Sequence, residues 1–109
     1  MTVNTDLKTA ADLILFHGWV QGKQRDTETN RICADEAVVR ATCARSYPGD
    51  WTMMPRYIDA LCRLADTINP EYEHKDWAMA YIAVTDWNDN HATSKQQVYE
   101  MLTKAAQEG

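Results

Sequence analysis

Apolar side chains recur at helical spacing in five stretches of the chain, and nowhere alternate with period two over a useful length. Leu7, Ala10, Ala11, Ile14 and Leu15 share one face of a helix predicted over residues 6–17. Thr5 is placed to cap it, and Asp6 sits where the helix dipole favours an anion. Gly18 ends it, because glycine turns left-handed without penalty, and Trp19 can then fold back onto Ile14. Residues 22–30 are polar and punctuated, a loop. Asn30 is the expected cap of a second helix over residues 31–46, burying Cys33, Ala37, Ala41 and Ala44 with Val38 beside them. Tyr47-Pro48-Gly49-Asp50 is a turn. A third helix starts between Thr52 and Pro55 and carries the stripe Met54, Ile58, Leu61, Ala65 and Ile68, with Cys62 alongside. Asn69-Pro70 stops it. A fourth begins between Asn69 and Asp76 and runs to Trp87, with Trp77, Ala80, Tyr81 and Val84 inward. Asn88-Asp89-Asn90-His91 reads as a turn. Thr93 with Gln96 forms a capping box for a last helix that buries Val98, Leu102 and Ala105. The fold expected is all-α: one compact domain over residues 1–109, a bundle of about five helices.

Composition supports a folded chain. At 109 residues one domain fits, and 45% hydrophobic with 25% charged residues is ordinary for a globular protein. No apolar run approaches the roughly 18 residues a membrane span needs. Leu13-Ile14-Leu15-Phe16 follows acids rather than a basic start and has no cleavage pattern, so a cytoplasmic protein without membrane attachment is expected. The three cysteines leave one unpaired in any monomer. Cys33 and Cys43 on one helix would stand about 15 Å apart, beyond disulfide reach, so reduced and buried thiols are expected. The net charge of −5 argues against nucleic-acid binding, including a helix-turn-helix built around the Tyr47-Pro48-Gly49-Asp50 turn. All six arginines lie between Lys23 and Arg63, and the carboxyl half is acidic.

Candidate chemistry is thin. His17, Cys33, Cys43, Cys62, His74 and His91 contain no ligand pair at the short spacing zinc wants. Asp86, Asn88 and Asn90 match the first ligand positions of a calcium loop, but His91 stands where glycine is needed and Gln97 where the closing Glu belongs. The cysteines match no nucleophile signature, and no phosphate or dinucleotide loop occurs. No catalytic residue, cofactor or metal is therefore assigned. Of the tryptophans, Trp19, Trp77 and Trp87 are expected in the core. Trp51, beside Met53 and Met54, is the candidate for a partner surface.

The run His17-Gly18-Trp19-Val20-Gln21-Gly22, then Cys33 and Ala37, then Trp87-Asn88-Asp89, Thr93, Val98 and Leu102 resembles a family of small uncharacterised proteins encoded by actinobacteria and their phages. The resemblance implies a fold and an origin, not a reaction. The function expected is a non-catalytic protein acting through a protein partner, as adaptor or inhibitor of a host protein, in a bacterial or infected host cell. The alternative is a small-ligand binder or enzyme with His17, Trp19, Gln21, Trp87, Asn88 and Asp89 around one pocket. A homodimer would hide exposed aromatic surface.

Overall fold

The computed structural model describes residues 2–71 and 76–107. Among these are five α-helices: α1 Val3–His17, α2 Ala34–Ala41, α3 Pro55–Ile68, α4 Trp77–Asp86 and α5 Lys95–Ala106. Short 3₁₀ turns cover Ala44–Ser46 and Trp51–Met53, and a π turn covers Trp87–His91. α1 packs on α5 and α2, α3 packs on α4, and no strand occurs among the described residues. No described helix is long and apolar enough to cross a membrane.

The apolar stripes of α1 and α5 form one seam: Leu7, Ala10, Ala11 and Ile14 meet Val98, Leu102 and Ala105, all fully buried. Leu15, expected in that stripe, is 42% exposed, because the stripe advances along Leu7, Ala11 and Ile14 and turns position 15 outward. α1 also starts earlier than expected. Thr2, not Thr5, is its cap, its hydroxyl accepting the Thr5 N–H at 3.1 Å. Asp6 lies in the first turn, where the dipole favours it, and is also buried: its two oxygens take the guanidinium fork of Arg56 at 2.8 and 2.6 Å, tying α1 to α3. At the far end Gly18 has φ +90°, and its N–H closes on Ile14 O at 2.9 Å.

The second helix departs most from expectation. Asn30 does not cap it. Asn30 is left-handed, at φ 63°, and its N–H bonds Asp26 O. Arg31 to Cys33 is then extended, with Ile32 bridging Trp19 on one side and Arg25 on the other. Cys33 becomes the cap, its sulfur accepting the Glu36 N–H at 3.3 Å. The helix also ends early: the Thr42 hydroxyl claims Val38 O at 2.8 Å, and Cys43 turns left-handed at φ 57°. Cys33 and Cys43 thus do not share a helix. All three cysteines are free, but Cys43 is exposed and Cys62 half-buried, against the expectation of buried thiols.

In α3, Pro55 occupies the first turn as expected. Its buried face is Tyr57, Ala60, Leu61, Leu64 and Ala65, with Met54, Ile58 and Ile68 at its edges. Tyr57 is fully buried and was not among the expected core residues. α4 opens at Asp76, whose side chain accepts the Met79 N–H at 2.9 Å. The cap of α5 lies one residue beyond the expected Thr93: Ser94 accepts the Gln97 N–H at 3.1 Å, while Gln97 reaches back to the Thr93 N–H at 2.7 Å.

Candidate functional site

Residues 88–91, expected as a plain turn, carry α4 onward as a π turn closed by the Ala92 N–H on Trp87 O at 2.8 Å. The wider winding brings Asn88 inward, where it is 1% exposed. Its Oδ1 accepts the Trp19 indole N–H at 2.8 Å and the Ala34 N–H at 2.9 Å. Its amide donates to Val20 O at 3.1 Å and to Asp89 Oδ1 at 2.9 Å. Asp89 also accepts the Gly22 N–H at 2.8 Å. The Gln21 amide is shared among the carbonyls of Asn88, Asp89 and Ala92, at 3.1, 3.2 and 3.0 Å. A clasp results. It fastens the segment after α1 and the start of α2 to the end of α4.

The two sequence motifs therefore converge on one another, through Trp19, Gln21, Asn88 and Asp89, and Gly22, Asn88 and Asp89 also line one side of a cleft. Their polar atoms are largely satisfied internally. His17 takes no part in the clasp and rests edge-on against the Phe16 ring, centroids 4.8 Å apart. Trp87, 8% exposed, is in the core and borders a different cleft of about 380 Å³ with Ile68, Asn69 and His91. Asp86 and Asn90 bond each other at 2.8 Å while Asn88 faces inward, so the calcium-like positions do not converge. Among the described residues, no three His, Cys, Asp or Glu come together as a metal would need; His74 lies outside them.

Recesses that open to solvent lie beside the clasp, around the first turn of α2. One cleft, of about 230 Å³, is lined by Lys23, Gln24, Cys33, Asp35, Tyr81 and Asn88, among others. A second, of about 320 Å³, is walled by Trp51, Trp77 and Tyr81 and carries Gln24, Asp35 and Arg45. Gln24, Asp35 and Tyr81 belong to both. Trp51, expected at a partner surface, is thus half-buried along a concave wall, its ring 5.5 Å from that of Tyr57.

Asp35 stands at the junction, 1% exposed. Its Oδ1 accepts the Tyr57 hydroxyl and its Oδ2 the Gln24 amide, each at 2.6 Å. Tyr57 in turn accepts the Trp77 indole N–H at 3.0 Å. Burial pushes the Asp35 carboxyl above its ordinary range, with Glu36 adding to the rise; Tyr57, Gln24 and Arg45 oppose it. Burial likewise raises the Tyr57 hydroxyl and takes the Cys33 thiol to about 12, so Cys33 is a packing group and a poor nucleophile. Glu36 is fully buried, and here burial loses. Arg45 takes both its oxygens at 2.6 Å, Arg40 adds a bond at 2.8 Å, and the carboxyl is held below its usual range. The Arg45 guanidinium also lies 5.5 Å from the Trp51 ring centroid.

Burial of the Asp35 carboxyl should cost stability, which gives a direct test. A raised folded pKa means stability that is present below the ordinary value of 3.8 and lost as pH rises through the folded value. Asp35→Asn keeps an acceptor for Tyr57, and a flipped Gln24 can accept from the new amide. We expect it to raise the melting temperature at pH 7 by about 5 °C, for roughly 1 kcal/mol. Thermal melts from pH 7 down to 3 should show the gain vanish. An unchanged or lower midpoint at pH 7 would contradict the assignment.

Five helices, with this clasp tying the α1–α2 connection to the end of α4, define a small all-helical protein with recesses beside α2 and α4. The chain belongs to a family of unknown function (DUF6197), whose model matches residues 1–108, in keeping with the resemblance carried by the Trp19 and Trp87 motifs. No curated protein and no solved structure matches it.

Proposed function

We propose that the protein binds a small ligand in the cleft walled by Trp51, Trp77 and Tyr81, with Asp35 and Arg45 as its polar contacts. The observation that carries this reading is a carboxylate, 1% exposed, kept at the junction of two clefts with only neutral groups bonded to its oxygens. Binding sites gather concave aromatic surface and a few convergent polar groups with displaced pKa values, and this cleft has each. Binding rather than catalysis is favoured because the Cys33 thiol that lines the adjoining recess is held neutral. Trp51 and Trp77 supply the readout. A panel of cationic, neutral and anionic aromatic compounds at millimolar concentration should contain members that change the tryptophan emission and raise the melting temperature. If no member does either, the reading fails.

A second reading rests on a different observation. α4 is apolar nearly all round, yet its outer face carries Met79, 45% exposed, and Ile82, 66% exposed, where such a helix is ordinarily covered. Asp76 and Asp86 flank that face. Two copies laid face to face would oppose acid to acid, so a partner protein with a basic rim fits better than a homodimer. On this reading the protein is a cytoplasmic adaptor or inhibitor of a host protein, of phage or actinobacterial origin. Sedimentation of wild type and Ile82→Asp tests it. A wild-type chain that dimerises through this face would remove the argument for a basic partner.

A further inference from the structure

The ligand class can be read from what Asp35 lacks. An ionised carboxylate can accept about four hydrogen bonds. Asp35 receives one on each oxygen, both from neutral donors, the Tyr57 hydroxyl and the Gln24 amide. Arg45, which shares the cleft, holds both oxygens of Glu36 instead. Gln24 is half-buried, lines both recesses and covers Oδ2. The rings beside it already take flat partners. Tyr81 stacks on Trp77 at 4.9 Å and 25°, and Arg45 already lays a planar cation near the Trp51 ring in the same cleft.

We infer that the ligand is a planar organic cation with N–H donors, an amidinium or guanidinium, which takes Oδ2 of Asp35 from the Gln24 amide and lies along Tyr81. The inference rests on the cleft being a ligand site, as proposed above. A planar N–H cation satisfies both demands at once: it brings added donors and a directly bonded positive charge, where Asp35 has only neutral bonding partners and Arg45 acts from a distance, and it presents a flat face to an aromatic wall. Neutral amides would only duplicate Gln24, and anions would face Asp35.

Calorimetric titration of the full chain at pH 7 with benzamidine, benzamide and benzoate tests the assignment, since the three share a ring and differ in charge. Benzamidine should bind at one saturable site, and benzamide and benzoate at least tenfold more weakly. Asp35→Asn should weaken benzamidine at least tenfold, with its melting temperature recorded alongside to show that it is folded. Gln24→Ala should bind benzamidine as well as wild type or more tightly. Equal binding of benzamide or benzoate, unchanged binding to Asp35→Asn, or a loss in Gln24→Ala as large as in Asp35→Asn would overturn the inference. If benzamidine fails while a neutral or anionic compound perturbs the Trp51 and Trp77 emission, the cation falls and the cleft stands. If nothing binds, both fall.

Discussion

Asn88→Ala should lower the melting temperature by roughly 15–20 °C, the outcome of losing about 3 kcal/mol or more from a small domain. The side chain is 1% exposed and serves partners on both sides of the clasp. Truncation strands the Trp19 indole N–H, the Ala34 N–H and the Val20 carbonyl, and Ala34 is fully buried. Each stranded buried group costs about 1–3 kcal/mol, which is large against a total stability of about 5–15 kcal/mol. Gln21→Ala is the comparison. Gln21 ties the same segments from an exposed position, where water can replace it, so its loss should cost no more than about 1 kcal/mol. Differential scanning calorimetry of the two variants would settle the ranking. Equal midpoints would mean that the clasp does not depend on its buried member.

Arg45→Met should cost about 2–3 kcal/mol at pH 7. Removing one partner of a buried ion pair strands the other charge, and Glu36 is fully buried. The figure sits at or below the lower end of that class because Arg45 is itself 46% exposed and Arg40 remains at 2.8 Å. The pH dependence carries the sharper signature. In the wild type, burial acts to raise the Glu36 carboxyl, but Arg45 and Arg40 outweigh it and hold it below 4.5. Its contribution is therefore present above 4.5 and is lost as pH falls through the lowered folded value. Without Arg45, burial prevails and the sign reverses, so the variant should recover relative to wild type as the medium is acidified. Chemical denaturation at pH 7 and pH 4 measures both. A deficit that is the same at the two pH values would show that Arg45 acts through its packing on Trp51 and not through Glu36.

Where a helix has one wet face and one dry face, the sequence displays it. The spacing of Leu7, Ala11 and Ile14, of Leu61 and Ala65, and of Val98 and Leu102 marked α1, α3 and α5 because each buries a single stripe. The first turn of α2 is different. Residues 32–39 are buried without a break, Asp35 and Glu36 included, so there is no period to detect. Two adjacent acids also look like a solvated helix start until their partners are known. Arg40 is a local i,i+4 partner of Glu36, but Gln24, Arg45 and Tyr57 lie 9 to 22 residues away, a pairing that no local pattern encodes. One signal was available: acids in the middle of the run Ile32-Cys33-Ala34-Asp35-Glu36-Ala37-Val38-Val39, which is otherwise apolar. The Trp19 and Trp87 motifs were visible as motifs, and two of their members, Trp19 and Asn88, do bond directly. Their inward direction depends on the π turn, a one-residue change of winding that composition does not announce.

The clasp also bears on how the chain is made. Its two sides are separated by 54 to 71 residues. During synthesis, the segment that includes Trp19, Gln21 and Ala34 leaves the ribosome well before Asn88 exists. The indole and the Ala34 amide must wait, hydrated, for an acceptor that is added 69 and 54 residues later. Contacts of such long sequence separation form late. The junction between the segment after α1, the start of α2 and the end of α4 should accordingly set late, and a stalled or shortened chain ending before position 88 would carry it unfastened.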